Sequence, residues 1–221
     1  MALEILPLGD AGLIVRVGDS LGEVLATARK LEAARIPGVI EIAPAFASVG
    51  LFLASPAFLA SCAAAIPAVL RGRKRAGATV RPPRALEVPV CYDPEFALDL
   101  ERVAKDCGLP PNEIVERHAA ARYEVRCVGF TPGFPYLGGL PAALATPRRA
   151  TPRTAVPAGS VAIAGGQSGI YPLASPGGWN IIGRTPLRLF DVAREEPALF
   201  AAGDRVRFVA ITREEFTGWV K

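Results

Sequence analysis

The sequence predicts an α+β protein built as two domains, a small α/β sandwich over residues 1–80 and a closed β-barrel over 81–221. Three observations predict it. Strand-like and helix-like apolar spacings alternate up to about residue 71. A basic, Pro/Gly-rich, aperiodic stretch at 72–86 then reads as a linker. Beyond residue 123 the chain is short apolar runs punctuated by Gly and Pro, and half of its 22 glycines fall between Gly129 and Gly183. That is the pattern of short strands and tight turns closing into a barrel.

In the first part, Leu3 to Leu8 and Leu13 to Val17 read as strands around a Gly9-Asp10 turn. Leu21 to Arg35 carries apolar residues at helical spacing, and Pro37-Gly38 is its expected stop. Val39 to Ile42 and Ser48 to Leu53 are further strands, and Ala57 to Leu70 is a second helix. The second part opens with a strand at Leu86 to Cys91. A helix from Leu100 to Cys107 follows, with Asp99 as its expected N-cap and Gly108 as its stop. Asn112 is the expected cap of the next helix, Glu113 to about Ala121. The pair resembles a DNA-reading helix-turn-helix, but Tyr123 to Val128 is a strand and no recognition helix comes after it. Asp204 to Ile211 is the expected late strand.

Bulk properties exclude several classes. The opening residues carry Glu4 and Asp10 and no apolar core, so no signal peptide is expected. The longest apolar run, Ala57 to Leu70, is too short to span a bilayer. The four cysteines, Cys62, Cys91, Cys107 and Cys127, have no C-x-x-C spacing. A cytoplasmic protein with free thiols is expected, without membrane or nucleic-acid partners. The basic stretch at 72–86 lacks the interleaved aromatics of a nucleic-acid surface.

Charge is unevenly spread. From Val125 to Phe190 there is no Asp or Glu, yet the stretch holds Arg126, Arg148, Arg149, Arg153, Arg184 and Arg188. Without those six the chain would be net acidic rather than +4. A β-rich scaffold low in charge explains this in part; a cleft that attracts a carboxylate or phosphate explains it functionally. The same stretch sets Phe130, Phe134, Tyr136, Tyr171 and Trp179 among Pro and Gly. Rigid loops of that kind expose rings and N–H groups to a flat or anionic small ligand.

Familiar catalytic templates fail. Gly166-Gln167-Ser168-Gly169 is not a nucleophile elbow, because Ile170 stands where the last glycine belongs. There is no Walker A loop. His118 is the only histidine, so a histidine-built metal site is excluded by count. It sits in the last turn of its helix, where the helix dipole favours its charged form, and either a half-buried structural role or proton transfer is open to it.

The run GFTPGFPYLGGLP, then TPRRATPR and VPAGSVAIAGGQSGIYPLASPGGWNIIGRTPLRLF, resembles the family of the 5-oxoprolinase B subunit, also called allophanate hydrolase subunit 1 or KipI-like. The likeness extends to the opening PLGDAGLIV and to ERH before Tyr123. The resemblance implies a ferredoxin-like α/β domain followed by a cyclophilin-like β-barrel. It implies two partners, a C subunit of related barrel architecture and an A subunit, opening 5-oxoproline to glutamate with ATP, the ATP-binding chain being undetermined. It also implies two alternatives: inhibition of a sensor histidine kinase, and a carboxyltransferase-type role in urea or allophanate metabolism. No biotinyl-lysine setting exists here, since the only Met is Met1, and no metal is expected on this chain. On this reading the chain is inactive alone. Arg148, Arg153 and Arg184 are the candidates to hold a carboxylate or phosphate. Phe134 and Tyr171 would wall the site. Tyr136, Gln167 and Ser168 would orient the lactam, with Tyr136 and His118 as the catalytic candidates.

Overall fold

A computed structural model describes residues 3–72 and 82–219. Most of the expected linker at 72–86 lies outside the described residues. The chain divides into two compact units, Met1–Pro82 and Pro83–Lys221.

In the first unit, β1 (Glu4–Pro7) and β2 (Gly12–Arg16) form a hairpin. Helix α1 (Leu21–Ala34) follows, with Ser20 capping the Glu23 N–H. Its buried residues Leu21, Val24, Ala28 and Leu31 are the helical stripe read from the sequence. The stop comes earlier than Pro37-Gly38, at Arg35, which takes φ 44° and donates its N–H to Glu32. Strand β3 runs Val39–Ala45, longer than expected and through Pro44. As an edge strand it tolerates the missing N–H. Strand β4 (Ser48–Leu53) and helix α2 (Leu59–Arg71), entered by a short 3-10 turn at Pro56–Phe58, complete the unit. The sheet is antiparallel in the order β1-β2-β4-β3. Val15, Val49 and Leu51 from the sheet and Val24, Leu31 and Ile66 from the helices are fully buried together.

The second unit is built on β5 (Ala85–Cys91), α3 (Leu100–Cys107), α4 (Pro111–Ala120), β6 (Tyr123–Val128), β7 (Pro135–Gly138), β8 (Arg153–Val156), β9 (Ser160–Ala164), β10 (Gln167–Ile170), β11 (Ser175–Gly177), β12 (Asn180–Arg184), β13 (Arg205–Ile211) and α5 (Arg213–Thr217). Seven strands close a barrel in the order β10-β7-β6-β13-β5-β12-β9. Strands β8 and β11 form a separate pair. The closing pair, β13 on β5, is parallel and runs in register from Arg205↔Ala85 to Ile211↔Cys91. The expected α+β class and the closed barrel are therefore present.

Two expected side-chain caps are not made. Asp99 precedes α3, but its carboxylate makes no cap bond. It is turned instead to two arginines and the Ile181 N–H. Asn112 lies inside the first turn of α4, which begins at Pro111, the position where a missing N–H costs nothing.

Strand β9 decides where the site forms. It is buried on both faces. Val161 and Ile163 enter the main core with Val90, Leu137, Ile170 and Phe208. Ala162 and Ala164, on the alternate face, join a second cluster with Phe134, Val156, Tyr171, Trp179 and Ile181. Among the described residues no helix is long and apolar enough to cross a membrane.

Candidate functional site

The second cluster is aromatic, and the small residues of β9 and β10 make room for it. Gly169 faces Phe134 so closely that a Cβ there would lie 2.7 Å from the ring. Phe134 meets Tyr136, Tyr171 and Trp179 edge-on at centroid distances of 4.9, 5.2 and 5.7 Å. Such edge-to-face packing fixes each ring against its neighbours. Burial raises the hydroxyl pKa of Tyr171, while the Trp179 backbone bonded to that hydroxyl acts in the opposite direction.

A cleft of about 290 Å³ opens on this cluster. Phe130, Phe134, Tyr136, Tyr171 and Trp179 supply its aromatic walls, and Arg148 and Arg149 its positive ones. Arg148 is exposed and, among the described residues, has no hydrogen bond or ion pair. Its charge nonetheless reaches the tyrosines: burial raises the pKa of Tyr136, and Arg148 partly offsets that rise. Among the described residues no carboxylate lines the cleft.

Arg149 and Arg153 are held from behind. Asp99, 3% exposed, accepts two bonds from Arg153 at 2.7 and 2.9 Å, one from Arg149 at 2.5 Å and one from the Ile181 N–H at 2.8 Å. Desolvation pushes the Asp99 pKa up, but Arg153, the Ile181 N–H and Arg149 outweigh it and hold the carboxyl below its usual value. With Arg148, three arginines stand against one acid, which leaves this wall net positive. The Nε of Arg149 is buried without a partner among the described residues.

His118 corrects the sequence expectation. It is fully buried, and desolvation drives its pKa down to about 3, so the ring is neutral despite its place at a helix C-terminus. Its Nδ1 lies 2.9 Å from the Tyr92 hydroxyl and its Nε2 lies 3.1 Å from Ser168 Oγ. Ser168 donates in turn to the Ala162 carbonyl. The consistent assignment is Tyr92 donating to Nδ1 and Nε2–H donating to Ser168. The ring also stacks on Phe208 at 4.5 Å.

The site residues read from the sequence therefore separate. Phe134, Tyr136, Arg148 and Tyr171 come together in the cleft wall. Arg153 is occupied by Asp99. Arg184 donates to the Ala158 carbonyl and does not line the cleft. Ser168 and His118 sit inside the barrel. Gln167 shares the face of Gly169 by strand alternation, outside the cleft lining. Sequence reasoning singled out Phe130 and Trp179 only as members of an aromatic group. It gave Asp99 a different task, because a contact 50 residues distant leaves no local signal.

Set against known proteins, residues 3–200 match the family described as carboxyltransferase domain, subdomain C and D. The chain is 40% identical to the 5-oxoprolinase B subunit of Bacillus subtilis over 96% of its own length and 95% of that protein. It is 48% identical to the protein of the same name from Escherichia coli O157:H7 over 79% of each chain. The chain belongs to the family of 5-oxoprolinase B subunits. Among solved structures, TTHA0988 superposes with a TM-score of 0.76 at 38% identity, over 91% of this chain. This chain spans 40% of that longer one. The urea carboxylase of Kluyveromyces lactis shares the fold, with a TM-score of 0.75 at 20% identity over 97% of this chain and 22% of that one.

Proposed function

We propose that the chain is a non-autonomous B subunit of a cytoplasmic, ATP-dependent 5-oxoprolinase, acting with A and C subunits to open 5-oxoproline to glutamate. The observation that carries this reading is the cleft: aromatic walls, an Arg148 unpaired among the described residues, and no carboxylate in the lining. Such a site suits a small, flat, singly anionic ligand. Arg148 would take the carboxylate by a charge-assisted fork, and the Tyr136 hydroxyl would bond the lactam. With no acid in the lining among the described residues, the arginines face an anion without a competing carboxylate. His118 is given a supporting role within the barrel.

The test is co-expression with candidate A and C subunits and an assay of 5-oxoproline-dependent ATP hydrolysis. Turnover by the three-subunit complex, with none from this chain alone, is expected. Turnover by the purified chain, or none from the complex, refutes the reading. The family description and the likeness to urea carboxylase favour a second reading, a carboxyltransferase-type component working on a biotin carrier. Carboxyl transfer from a biotinylated carrier protein, without 5-oxoproline turnover, would establish it.

A further inference from the structure

Phe130 stands apart among the cleft's residues, because it joins a positive φ to an exposed aromatic ring. The residue is 62% exposed and its backbone sits at φ 68°. A side chain with a Cβ is strained in this left-handed region, and isolated outliers of this kind gather at binding sites. The loop around it is not loose. The Gly129 N–H donates to the Phe134 carbonyl, Thr131 N–H to Gly129, and Phe134 N–H to Thr131. Three residues on, a comparable φ of 84° falls on Gly133, where it is free of strain. At 130 the chain instead holds a large apolar ring against both backbone preference and hydration. The ring meets Phe134 and Tyr171 edge-on, at 5.6 and 6.5 Å. Its remaining surface is presented beside Arg148 in the same cleft lining.

We propose that Phe130 is a substrate-contacting residue whose ring lies on the face of the 5-oxoproline lactam while Arg148 holds the carboxylate; this rests on the functional reading above. A lactam is a flat amide that stacks on an aromatic face at little desolvation cost. Glutamate, the ring-opened product, has no such face and carries further charges. Phe130 therefore separates substrate from product: it adds affinity for the closed ring and none for the open chain.

The test compares Phe130→Asn, Phe130→Ala and Phe130→Tyr in the assembled complex, with melting of the purified chain alongside. Asn accepts the left-handed backbone without a ring, so its melting temperature should stay within about 2 °C of the parent. KM for 5-oxoproline should rise roughly tenfold or more, kcat for ATP hydrolysis should change less than about threefold, and inhibition by glutamate should be unmoved. Phe130→Ala should melt below Phe130→Asn, because it keeps the strain. Phe130→Tyr should restore KM. An unchanged KM in Phe130→Asn overturns the assignment, as does a melting temperature lowered by more than about 5 °C, which would make the ring a core element. A parent complex that does not turn over 5-oxoproline overturns the functional reading and this assignment with it. A working complex indifferent to Phe130 overturns this assignment alone.

Discussion

Replacing Asp99 by Asn tests whether the positive wall of the cleft is a supported structure. The carboxylate accepts three guanidinium N–H bonds and the Ile181 N–H, all between 2.5 and 2.9 Å. Asn keeps one oxygen for Ile181 but removes the negative charge. Two guanidiniums, at 26% and 21% exposure, are then left facing each other and an amide. Breaking a buried pair from one side costs about 3–5 kcal/mol, and the partial exposure of both arginines places this case near the low end, about 3 kcal/mol. For a chain of this size that corresponds to a fall of roughly 10 °C in melting temperature. Scanning calorimetry at pH 7 measures it directly. The Asp99→Leu, Arg153→Met double variant should not recover the loss, since Arg149 and the Ile181 N–H still lack their acceptor. The folded carboxyl titrates below its ordinary value, so this stabilisation is fully present above about pH 4 and is lost only as pH falls through the lowered value. A melting temperature within 2 °C of the parent in Asp99→Asn, or full recovery in the double variant, would sink the argument.

Three further outcomes are expected. Arg148→Ala should leave the melting temperature nearly unchanged while lowering kcat/KM of the complex roughly tenfold to hundredfold, whereas Arg153→Ala should lower the melting temperature through Asp99. Unfolding by urea should become easier by up to about 1.4 kcal/mol per pH unit as pH falls below about 6.5, because the unfolded chain binds a proton that buried His118 refuses until about pH 3; His118→Gln should flatten that slope. Gly169→Ala should push Phe134 against rings that cannot yield, costing about 1–3 kcal/mol and shifting Trp179 fluorescence, and an unperturbed melt would show that the aromatic cluster is softer than its packing implies.

The sequence made the elements up to Val128, and the last strand, legible because most carry a local period: Leu21, Val24, Ala28 and Leu31 announce α1. Between Gly129 and Gly183 it showed only short strands and turns in general, and neither β7 to β12 nor α5 was read individually. The aromatic cleft was legible as composition, an acid-free stretch rich in Arg, Pro and rings. What could not be read was direction. Arg148, Arg149 and Arg153 are near neighbours in sequence, yet the first is free among the described residues and the other two are tied to Asp99. That difference is set by a carboxylate brought in from the start of α3. His118 escaped for a related reason. Its helix position argues for charge, and only the full enclosure of the ring by the barrel reverses the sign. Positive φ at Phe130 was equally invisible, because Phe is not a residue that advertises it.

The barrel closes by joining its first strand to its last. Strand β5 finds its parallel partner only when β13 arrives, and the Asp204 carboxylate that receives the Arg84 N–H is 120 residues further along the chain. During synthesis at the ribosome, β5 therefore emerges long before the strand that covers it. For that interval an apolar edge containing Val88 and Val90 is open to whatever strand comes near, including those of neighbouring nascent chains. A stop codon anywhere between the cleft residues and residue 205 yields a polypeptide with every cleft residue present and no means of sealing the cylinder behind them. Such fragments should go to inclusion bodies, and the last strand acts as the clasp that makes the rest of the unit safe to release.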